Sequence, residues 1–284
     1  MTDIPGEARL PAPLIYFWEG GWFGVGSSKG YGALPPHSHH TVHIAIGLDG
    51  PVRFQYPGDE WTEYQAAAVQ PDAPHSFDGC DSLVAIGFVD PECREGHWLR
   101  HALRAPITDV WSERLTPHLP TLRNFQRDRP DTLTAALITT SIVRALCAGP
   151  PPVRAMDERI IRALKIIRGR DARRLPLEKV AKEVFLSPSR LAHLFTAEVG
   201  LPFRRYILWR KLSQAMVEFA RGGTLSAAAH AAGFADSAHL SRTWYQMFGL
   251  PPTAMIGNAE FYEIPAPFEM APGLLQDPDR ENRA

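Results

Sequence analysis

The chain has 284 residues, of which 45% are hydrophobic and 21% charged, which is enough for about two globular domains. This composition excludes disorder as the state of the whole chain. The sequence lacks any run of about 18 apolar residues, and its first residues lack the basic and apolar parts of a signal peptide. It therefore predicts a cytoplasmic protein that does not contact a membrane.

The net charge of −1 conceals three regions of different sign. Residues 1–153 contain 11 Lys and Arg against 17 Asp and Glu, residues 154–256 contain 17 against 8, and residues 257–284 contain 2 against 6. A basic region between two acidic ones is typical of a protein that binds a polyanion with one domain. A helical surface rich in Lys and Arg gives the same pattern, so charge alone leaves both interpretations open.

Short apolar runs separated by Gly, Pro and Asp dominate the first 90 residues. They predict the strands of a β-sandwich or barrel over 14–17, 42–48, 52–56, 66–70 and 83–89. From 91 to 147 the apolar spacing becomes helical, and one buried helix face is expected to contain Leu133, Leu137, Ile138, Ile142 and Leu146. Residues 148–155 include Pro150-Pro151-Pro152 and are predicted to form a domain linker.

Residues 156–256 have helical apolar spacing throughout and predict two helix-turn-helix units. Ser187 and Pro188 form the start signal of the second helix in the first unit, and Asp236 caps the second helix of the second unit. A connecting helix is predicted over residues 203–220, with a length of roughly 27 Å. Successive major grooves on one face of DNA lie about 34 Å apart, so a single chain is expected to read two adjacent grooves.

Two segments of this region resemble a known family. LPLEKVAKEVFLSPSRLAHLFTAEVGLPFRRYILWRKL and LSAAAHAAGFADSAHLSRTWYQMFGLPP make residues 156–256 similar to the DNA-binding domain of AraC/XylS-type transcription regulators. The resemblance implies a sequence-specific regulator that binds double-stranded DNA as a homodimer. It also implies that residues 91–147 form a helical segment for dimerisation and relay.

Candidate DNA contacts follow from the resemblance and from the helix periodicity. Arg190 is the first candidate for a base contact, because a guanidinium pairs bidentately with guanine. The other candidate readers are Ser189, His193, Thr196, Ser237, Ala238, His239 and Arg242, and the candidates for phosphate contact are Arg204, Arg205, Arg210 and Lys211. The uncharged Tyr245-Gln246-Met247 stands where the family has basic residues. The first unit is therefore expected to supply more of the affinity.

The first 90 residues contain a dense group of histidines. Strand alternation places His37, His39 and His43 on one face and leaves His40 on the other, where it is expected to be exposed. His75 follows a predicted strand and is expected to join the first three. These blocks resemble the paired motifs of cupin barrels, with His43 in the place of the acidic ligand. Four imidazoles favour Zn, Ni, Cu or Fe. A metal site, a metal-free small-molecule pocket and structural histidines all stay open as interpretations.

Taken together, the sequence predicts a multidomain α+β protein. A cupin-like sensing barrel (1–90) is followed by the helical segment (91–147), the linker (148–155), the tandem helix-turn-helix domain (156–256) and an acidic tail (257–284) that is expected to be disordered. The favoured function is a ligand- or metal-responsive transcription regulator that is not an enzyme. A cupin-type metal-dependent dioxygenase or isomerase is the alternative, but two basic helix-turn-helix units have no role in such an enzyme.

Overall fold

The computed structural model describes residues 11–18, 20–147, 156–169, 175–256 and 259–264. Within these residues the chain forms a β-rich N-terminal domain and a helical C-terminal domain, so the predicted fold class is confirmed. The predicted linker 148–155 lies outside the described residues. None of the described helices is both long enough and apolar enough to cross a membrane.

The N-terminal domain contains the five predicted strands, each bounded within one residue of its prediction, and several more. In chain order the strands are β1 (Leu14–Trp18), β2 (Gly21–Ser27), β3 (Leu34–His37), β4 (Val42–Gly47), β5 (Val52–Gln55), β6 (Thr62–Tyr64), β7 (Ala66–Val69), β8 (His75–Asp78), β9 (Leu83–Val89) and β10 (Ile107–Asp109). A further strand, β11 (Glu260–Glu263), comes from the end of the chain.

The strands form two sheets. The larger sheet has the order β10-β7-β4-β9-β2-β1-β11, and the smaller has the order β3-β8-β5-β6. Side chains from alternate positions of the larger sheet fill two cores, because a strand points successive residues to opposite faces. Ile44 of β4 packs in the core shared with the helical segment, whereas its neighbour Ala45 packs with Phe54 and Phe77 of the smaller sheet. β4 is therefore buried on both faces.

Residues 91–147 form helices that cover the outer face of the larger sheet. They are α1 (Arg94–Ala102), a 3-10 helix (Glu113–His118), α2 (Leu119–Arg123), α3 (Phe125–Asp128) and α4 (Thr132–Leu146). Helix α4 buries Ala135, Thr139 and Ile142. The predicted face of α4 was partly wrong: Leu133 and Leu137 are 62% and 63% exposed.

The C-terminal domain contains the two predicted helix-turn-helix units. The first follows α5 (Glu158–Arg168) and consists of α6 (Leu177–Glu183) and α7 (Pro188–Val199). Helix α8 (Phe203–Ala220) has the predicted bounds of the connecting helix. The second unit consists of α9 (Leu225–Ala232) and α10 (Ser237–Phe248), and the short α11 (Pro252–Ile256) follows it.

The predicted start signals act as caps in the structure. The Ser187 side chain accepts a hydrogen bond from the amide of Arg190, and the Asp236 carboxylate accepts one from the amide of His239. Both second helices end at a glycine in the left-handed region, Gly200 with φ 85° and Gly249 with φ 70°, a conformation that glycine adopts without steric cost.

The expectation that the chain is disordered from residue 257 onward was wrong for the part that the structure describes. Strand β11 pairs in parallel with the edge strand β1, and Ile264 is buried. The Arg129 guanidinium donates to Glu260, and the ring of Tyr262 stacks on Tyr16 at 5.1 Å between centroids. The segment after the second unit therefore returns to the N-terminal sheet.

Candidate effector site and DNA-reading helices

The first turns of α7 present the predicted readers of the first unit to solvent. Ser189, Arg190, His193 and Thr196 are all exposed. Leu191 and Phe195 on the opposite side of the helix are fully buried in the core of that unit. The alternation follows from the helical period, which places polar and apolar residues on separate faces.

Helix α10 has a similar arrangement. Ala238 and Arg242 are exposed, and Ser237 and His239 are half-buried. The His239 ring packs edge-on against Phe234 with centroids 5.2 Å apart, which accounts for its partial burial. Leu240 and Trp244 are fully buried beneath them.

The four cations proposed for phosphate contact do not share one environment. Arg204 is exposed, but Arg205 forms an ion pair with Asp72 of the N-terminal domain at 3.1 Å, and Arg210 is half-buried. Lys211 donates to the carbonyl of Gly233 at 2.7 Å, so its ammonium group is used inside the second unit. Of the four, Arg204 alone has its side chain exposed without an ion pair to the N-terminal domain among the described residues.

The structure brings together the four histidines that the sequence analysis grouped. His37 at the end of β3 lies opposite His75 at the start of β8, and His39 and His43 approach from the turn and strand that follow. The ring centroids of His37 and His75 are 4.4 Å apart, and His39 lies 5.1 Å from His75. All four side chains are buried.

Backbone carbonyls fix the tautomers of three of these rings. The Nδ1–H groups of His37, His75 and His39 donate to the carbonyls of Pro35 at 2.8 Å, Ala73 at 2.9 Å and Thr41 at 3.2 Å respectively. Because a carbonyl only accepts, each Nε2 keeps a lone pair. One ligand atom from each of these three residues lies within 4.8 Å of the others.

This arrangement fits a transition metal. Metal-binding histidines usually donate their other ring nitrogen to a carbonyl or carboxylate, which orients the ring. Burial lowers the pKa of His37 and His39 and lowers that of His75 to about 3, so the rings are neutral near pH 7, as ligation requires. The Nε2 of His39 is buried without a hydrogen-bond partner.

His43 has a different place from the one predicted for it. Its Nδ1 lies 3.2 Å from Nε2 of His75. Since the Nδ1–H of neutral His75 already donates to Ala73, His43 must donate to His75. His43 therefore occupies the Nε2 lone pair of His75 in this structure and lies outside the set of converging ligand atoms.

The prediction for His40 was wrong, because His40 is buried with 1% exposure. Its Nε2 lies 2.5 Å from the Glu92 carboxylate, and its ring packs edge-on against Tyr206 of α8 at 5.7 Å. Burial disfavours the charged form, but Glu92 and Asp72 outweigh it and raise the pKa of His40 to about 10. This histidine therefore links the N-terminal domain to the C-terminal domain as a cation.

A cavity of about 140 Å³ lies between the N-terminal domain and the second helix-turn-helix unit. Its polar lining includes His37 and His43. Its apolar lining comes from both domains: Ile15, Trp22, Val25, Leu34, Phe77, Val84, Ile86 and Phe88 on one side, and Phe248, Leu250 and Met255 on the other.

The contribution of the second unit to this cavity was not predicted. Phe248 matches an ordinary core position of α10, and Leu250 and Met255 lie in the short segment after it. No pattern within the C-terminal sequence distinguishes a residue that faces its own core from one that faces another domain. Of the residues that line this cavity, only the histidines formed a pattern in the sequence that pointed to a site.

A family model described as a helix-turn-helix domain matches residues 180–257. A comparison with curated proteins finds no match. Among solved structures, a ligand-free variant of ToxT from Vibrio cholerae strain SCE256 has a TM-score of 0.56 at 13% identity, covering 84% of this chain and 97% of that one. ToxT from Vibrio cholerae O395 has a TM-score of 0.52 at 10% identity, covering 84% and 98%.

A third similar structure contains a ligand. ToxT from Vibrio cholerae O395 bound to (E)-4-(8-methylnaphthalen-1-yl)but-3-enoic acid has a TM-score of 0.51 at 9% identity, with 84% of this chain and 99% of that chain covered. At these identities the likeness is one of fold, and it spans both domains. The chain therefore contains a helix-turn-helix domain over residues 180–257 and has the two-domain fold of ToxT.

Proposed function

We propose that this regulator reads DNA through α7 and α10 and responds to a small amphiphilic ligand bound between the N-terminal domain and the second unit. The observation that carries the proposal is the shared cavity. Phe248, Leu250 and Met255 form part of its wall, and α10 is a reading helix of the second unit. A ligand that fits one relative position of the two domains better than another shifts the population toward that position.

The DNA-reading part of the proposal rests on exposure and charge. Arg190 and Arg242 are exposed on the two second helices, and an arginine in the major groove pairs bidentately with guanine. Arg204 is exposed near the start of α8, where it suits a phosphate contact. The first unit is proposed to supply more of the affinity, because Tyr245-Gln246-Met247 gives the second unit no added positive charge.

Arg190→Ala is expected to weaken binding more than Arg242→Ala, by about 1–3 kcal/mol for a lost bidentate base contact. The measurement is a fluorescence-anisotropy titration at one fixed salt concentration, with a duplex selected from a random pool by the full-length protein. Arg221→Ala, at the exposed end of α8, serves as the charge-matched control. Equal losses for the two reading-helix variants would contradict the proposed asymmetry.

The ligand class follows from the lining of the cavity. A wall of aliphatic and aromatic side chains favours an apolar body, because burial of apolar surface is the main source of binding energy. The free Nε2 lone pairs of His37 and His43 can accept a hydrogen bond from a protonated carboxyl group at one end of that ligand, which its methyl ester cannot donate. The acid bound in one ToxT structure joins a methylnaphthalene to a carboxylic acid. We therefore propose a small apolar carboxylic acid as the ligand of this chain.

Octanoic acid is expected to raise the melting temperature of the protein, whereas its methyl ester is expected to raise it less. At a concentration of 100 times Kd, binding adds about 2.7 kcal/mol to stability, a shift of roughly 5–10 °C for a protein of this size. Leu250→Trp fills the cavity from the C-terminal side and should abolish the shift. Tyr245→Trp places the same ring on the exposed side of α10 and should leave it intact. The ligand class is wrong if acid and ester act equally.

The three converging histidines support a second proposal, that the N-terminal domain holds one first-row transition metal. His37, His39 and His75 would bind it through Nε2, and His43 would have to give up its hydrogen bond to Nε2 of His75 for that nitrogen to bind the metal. When bound, the metal would supply a positively charged anchor for the acidic end of a ligand. The tautomers fixed by Pro35, Ala73 and Thr41 are the support for this site, since a carbonyl partner holds each ring in the form that ligates.

Protein purified after growth in zinc-supplemented medium is expected to contain about one zinc ion per chain, as three neutral imidazoles suit this ion. The His37→Ala/His39→Ala variant should contain none, and His101→Ala, at an exposed histidine, should keep the wild-type amount. Mass spectrometry of the metal content measures this, and circular dichroism checks that the double variant folds. Equal metal in all three proteins, or none in any, would contradict the site.

A homodimer is proposed to form through α4. Leu133 and Leu137 lie one helical turn apart and are more than 60% exposed, although they belong to a helix whose other side packs on the large sheet. Exposed apolar side chains at neighbouring positions are typical of association surfaces. A second copy of the chain is the occupant that the AraC-type resemblance implies.

Leu133→Glu/Leu137→Glu is expected to shift the protein from dimer to monomer, because four like charges would meet in the interface. Light scattering after size-exclusion chromatography at several concentrations measures the mass. Thr116→Glu, at an exposed position of the 3-10 helix, is the control. A dimer that survives the double substitution would place the interface elsewhere.

The enzyme alternative has less support than the regulator. An enzyme of the cupin type needs a substrate cavity beside its metal, and the cavity here is closed on one side by residues of the second helix-turn-helix unit. That wall is useful for transmitting a binding event to DNA-reading helices and has no role in turnover. Turnover of a candidate substrate together with a failure to bind any duplex would reverse this preference.

A further inference from the structure

The two helix-turn-helix units contact the N-terminal domain through different kinds of interface. The core of the second unit is continuous with the N-terminal sheet. Ile15, Phe17, Trp22 and Phe88 of β1, β2 and β9 lie in one apolar cluster with core residues of the C-terminal domain, among them Trp209, Leu212, Met216, Leu240, Trp244 and Phe248. The second unit is therefore held to the sheet by buried apolar surface, which ionic strength does not screen as it screens an ion pair.

Strand β11 adds to this attachment. It follows the second unit in the chain and pairs with β1 over four residue positions, from Leu14 opposite Glu260 to Phe17 opposite Glu263. Phe261 packs against the same apolar cluster. The second unit is thus tied to the N-terminal sheet through its core and through the segment that leaves it.

The first unit has a core of its own. The cluster that contains Ile160, Leu191, Phe195 and Tyr206 draws its members from residues 156–207, and among the described residues it includes none from the N-terminal domain. Helix α8 belongs to both cores: Phe203 and Tyr206 lie in the first, and Trp209 and Leu212 lie in the second. The boundary between the two cores therefore crosses α8 near its middle.

Charged groups connect the first unit to the N-terminal domain. Arg205 pairs with Asp72 at 3.1 Å, and Arg168 lies 3.9 Å from Glu92. The guanidinium of Arg100 in α1 lies against Gly200 at the end of α7. A Cβ added to Gly200 would be 3.1 Å from that guanidinium. Two clefts of about 160 and 230 Å³ separate the surfaces along this line. We call this contact the polar seam.

One arginine of the polar seam, Arg205, could pair with a DNA phosphate instead of with the N-terminal domain. Arg205 lies beside the exposed Arg204 on the first turn of α8, and it is a predicted phosphate contact. Its side chain is 46% exposed while paired with Asp72, which is 23% exposed. A carboxylate and a phosphate offer the same kind of acceptor to a guanidinium, and an ion pair this exposed is weak.

We propose that the first helix-turn-helix unit is a releasable body, and that Asp72 competes with the DNA phosphates for Arg205. In this arrangement the second unit stays docked on the N-terminal sheet while the first unit leaves the polar seam when α8 engages DNA. Asp72 acts as an autoinhibitory residue because every duplex must replace it. The inference rests on the proposed reading of DNA and does not require the proposed ligand or metal.

The binding test uses a random-sequence 40-bp duplex without added ligand. Asp72→Asn is expected to tighten binding by about two- to fivefold at low salt, the range that a partly exposed ion pair can supply, and the gain should shrink as salt rises. Arg205→Ala should weaken binding. In the Arg205→Ala background, Asp72→Asn should give no gain, because the competed cation is absent.

Asp59→Asn removes the same charge from an exposed position of the N-terminal domain and is the control for net charge. An equal gain from Asp59→Asn would overturn the competition. So would a gain from Asp72→Asn that persists in the Arg205→Ala background.

A distance measurement tests the release without DNA. Two doubly labelled proteins are made in a Cys80→Ser background. One carries spin labels at Glu60→Cys and at Lys182→Cys in the first unit, and the other carries them at Glu60→Cys and at Gln246→Cys in the second unit. All three labelled positions are exposed. In Asp72→Asn the 60–182 distance distribution should broaden while the 60–246 distribution stays narrow. Unchanged distributions in both pairs, or broadening of both, would overturn the inference. Since neither readout uses octanoic acid or zinc, failure of the ligand or metal proposals leaves this result interpretable.

Discussion

Phe88 is the contact on which the arrangement of the molecule depends. On one side its ring stacks on His43 at 4.6 Å and meets His39 edge-on at 4.5 Å. On the other side it packs against Trp22 at 4.5 Å and against Phe248 of α10 at 5.8 Å. One side chain of β9 thus contacts both the histidine group and helix α10. A single ring therefore separates His43 from Phe248.

The acidic and basic regions of the sequence meet at the contact between the two domains. The acidic N-terminal region and the basic C-terminal region face each other across the polar seam, where Asp72 and Glu92 meet Arg205 and Arg168. Glu92 is buried but also pairs with His40 of its own domain, so it keeps a partner when Arg168 leaves. The Asp72 pair is partly exposed and correspondingly weak. The positive charge that would attract a polyanion to the C-terminal domain therefore also attracts the acidic N-terminal domain.

Much of the architecture was predictable from local patterns, and the exceptions have physical causes. The apolar run Leu83–Val89 matches its predicted bounds, and the Ser187 cap correctly marks the start of α7. Strand β2 is absent from the predicted strands because its sequence GWFGVGS is rich in glycine. A Cβ at Gly24 would lie 2.8 Å from the carbonyl of Leu14, so β1 can lie this close to β2 only because residue 24 is a glycine. Strand alternation predicts an exposed His40 because it carries no information about a second domain that covers the outer face.

The grouping of the histidines was predictable, whereas the domain contacts were not. His37 and His39 are two residues apart in the chain, and the pairing of β3 with β8 adds His75. Whether Phe248 packs inside its own unit or against Phe88 depends on a domain interface that no periodicity encodes. Helix α8 shows the limit most clearly: its bounds followed from the sequence, but the boundary between Tyr206 and Trp209 appears only when the two cores are assigned. A helix that belongs to two cores couples them through its own rigidity, so any motion of the first unit must bend α8 or carry its first two turns out of the polar seam.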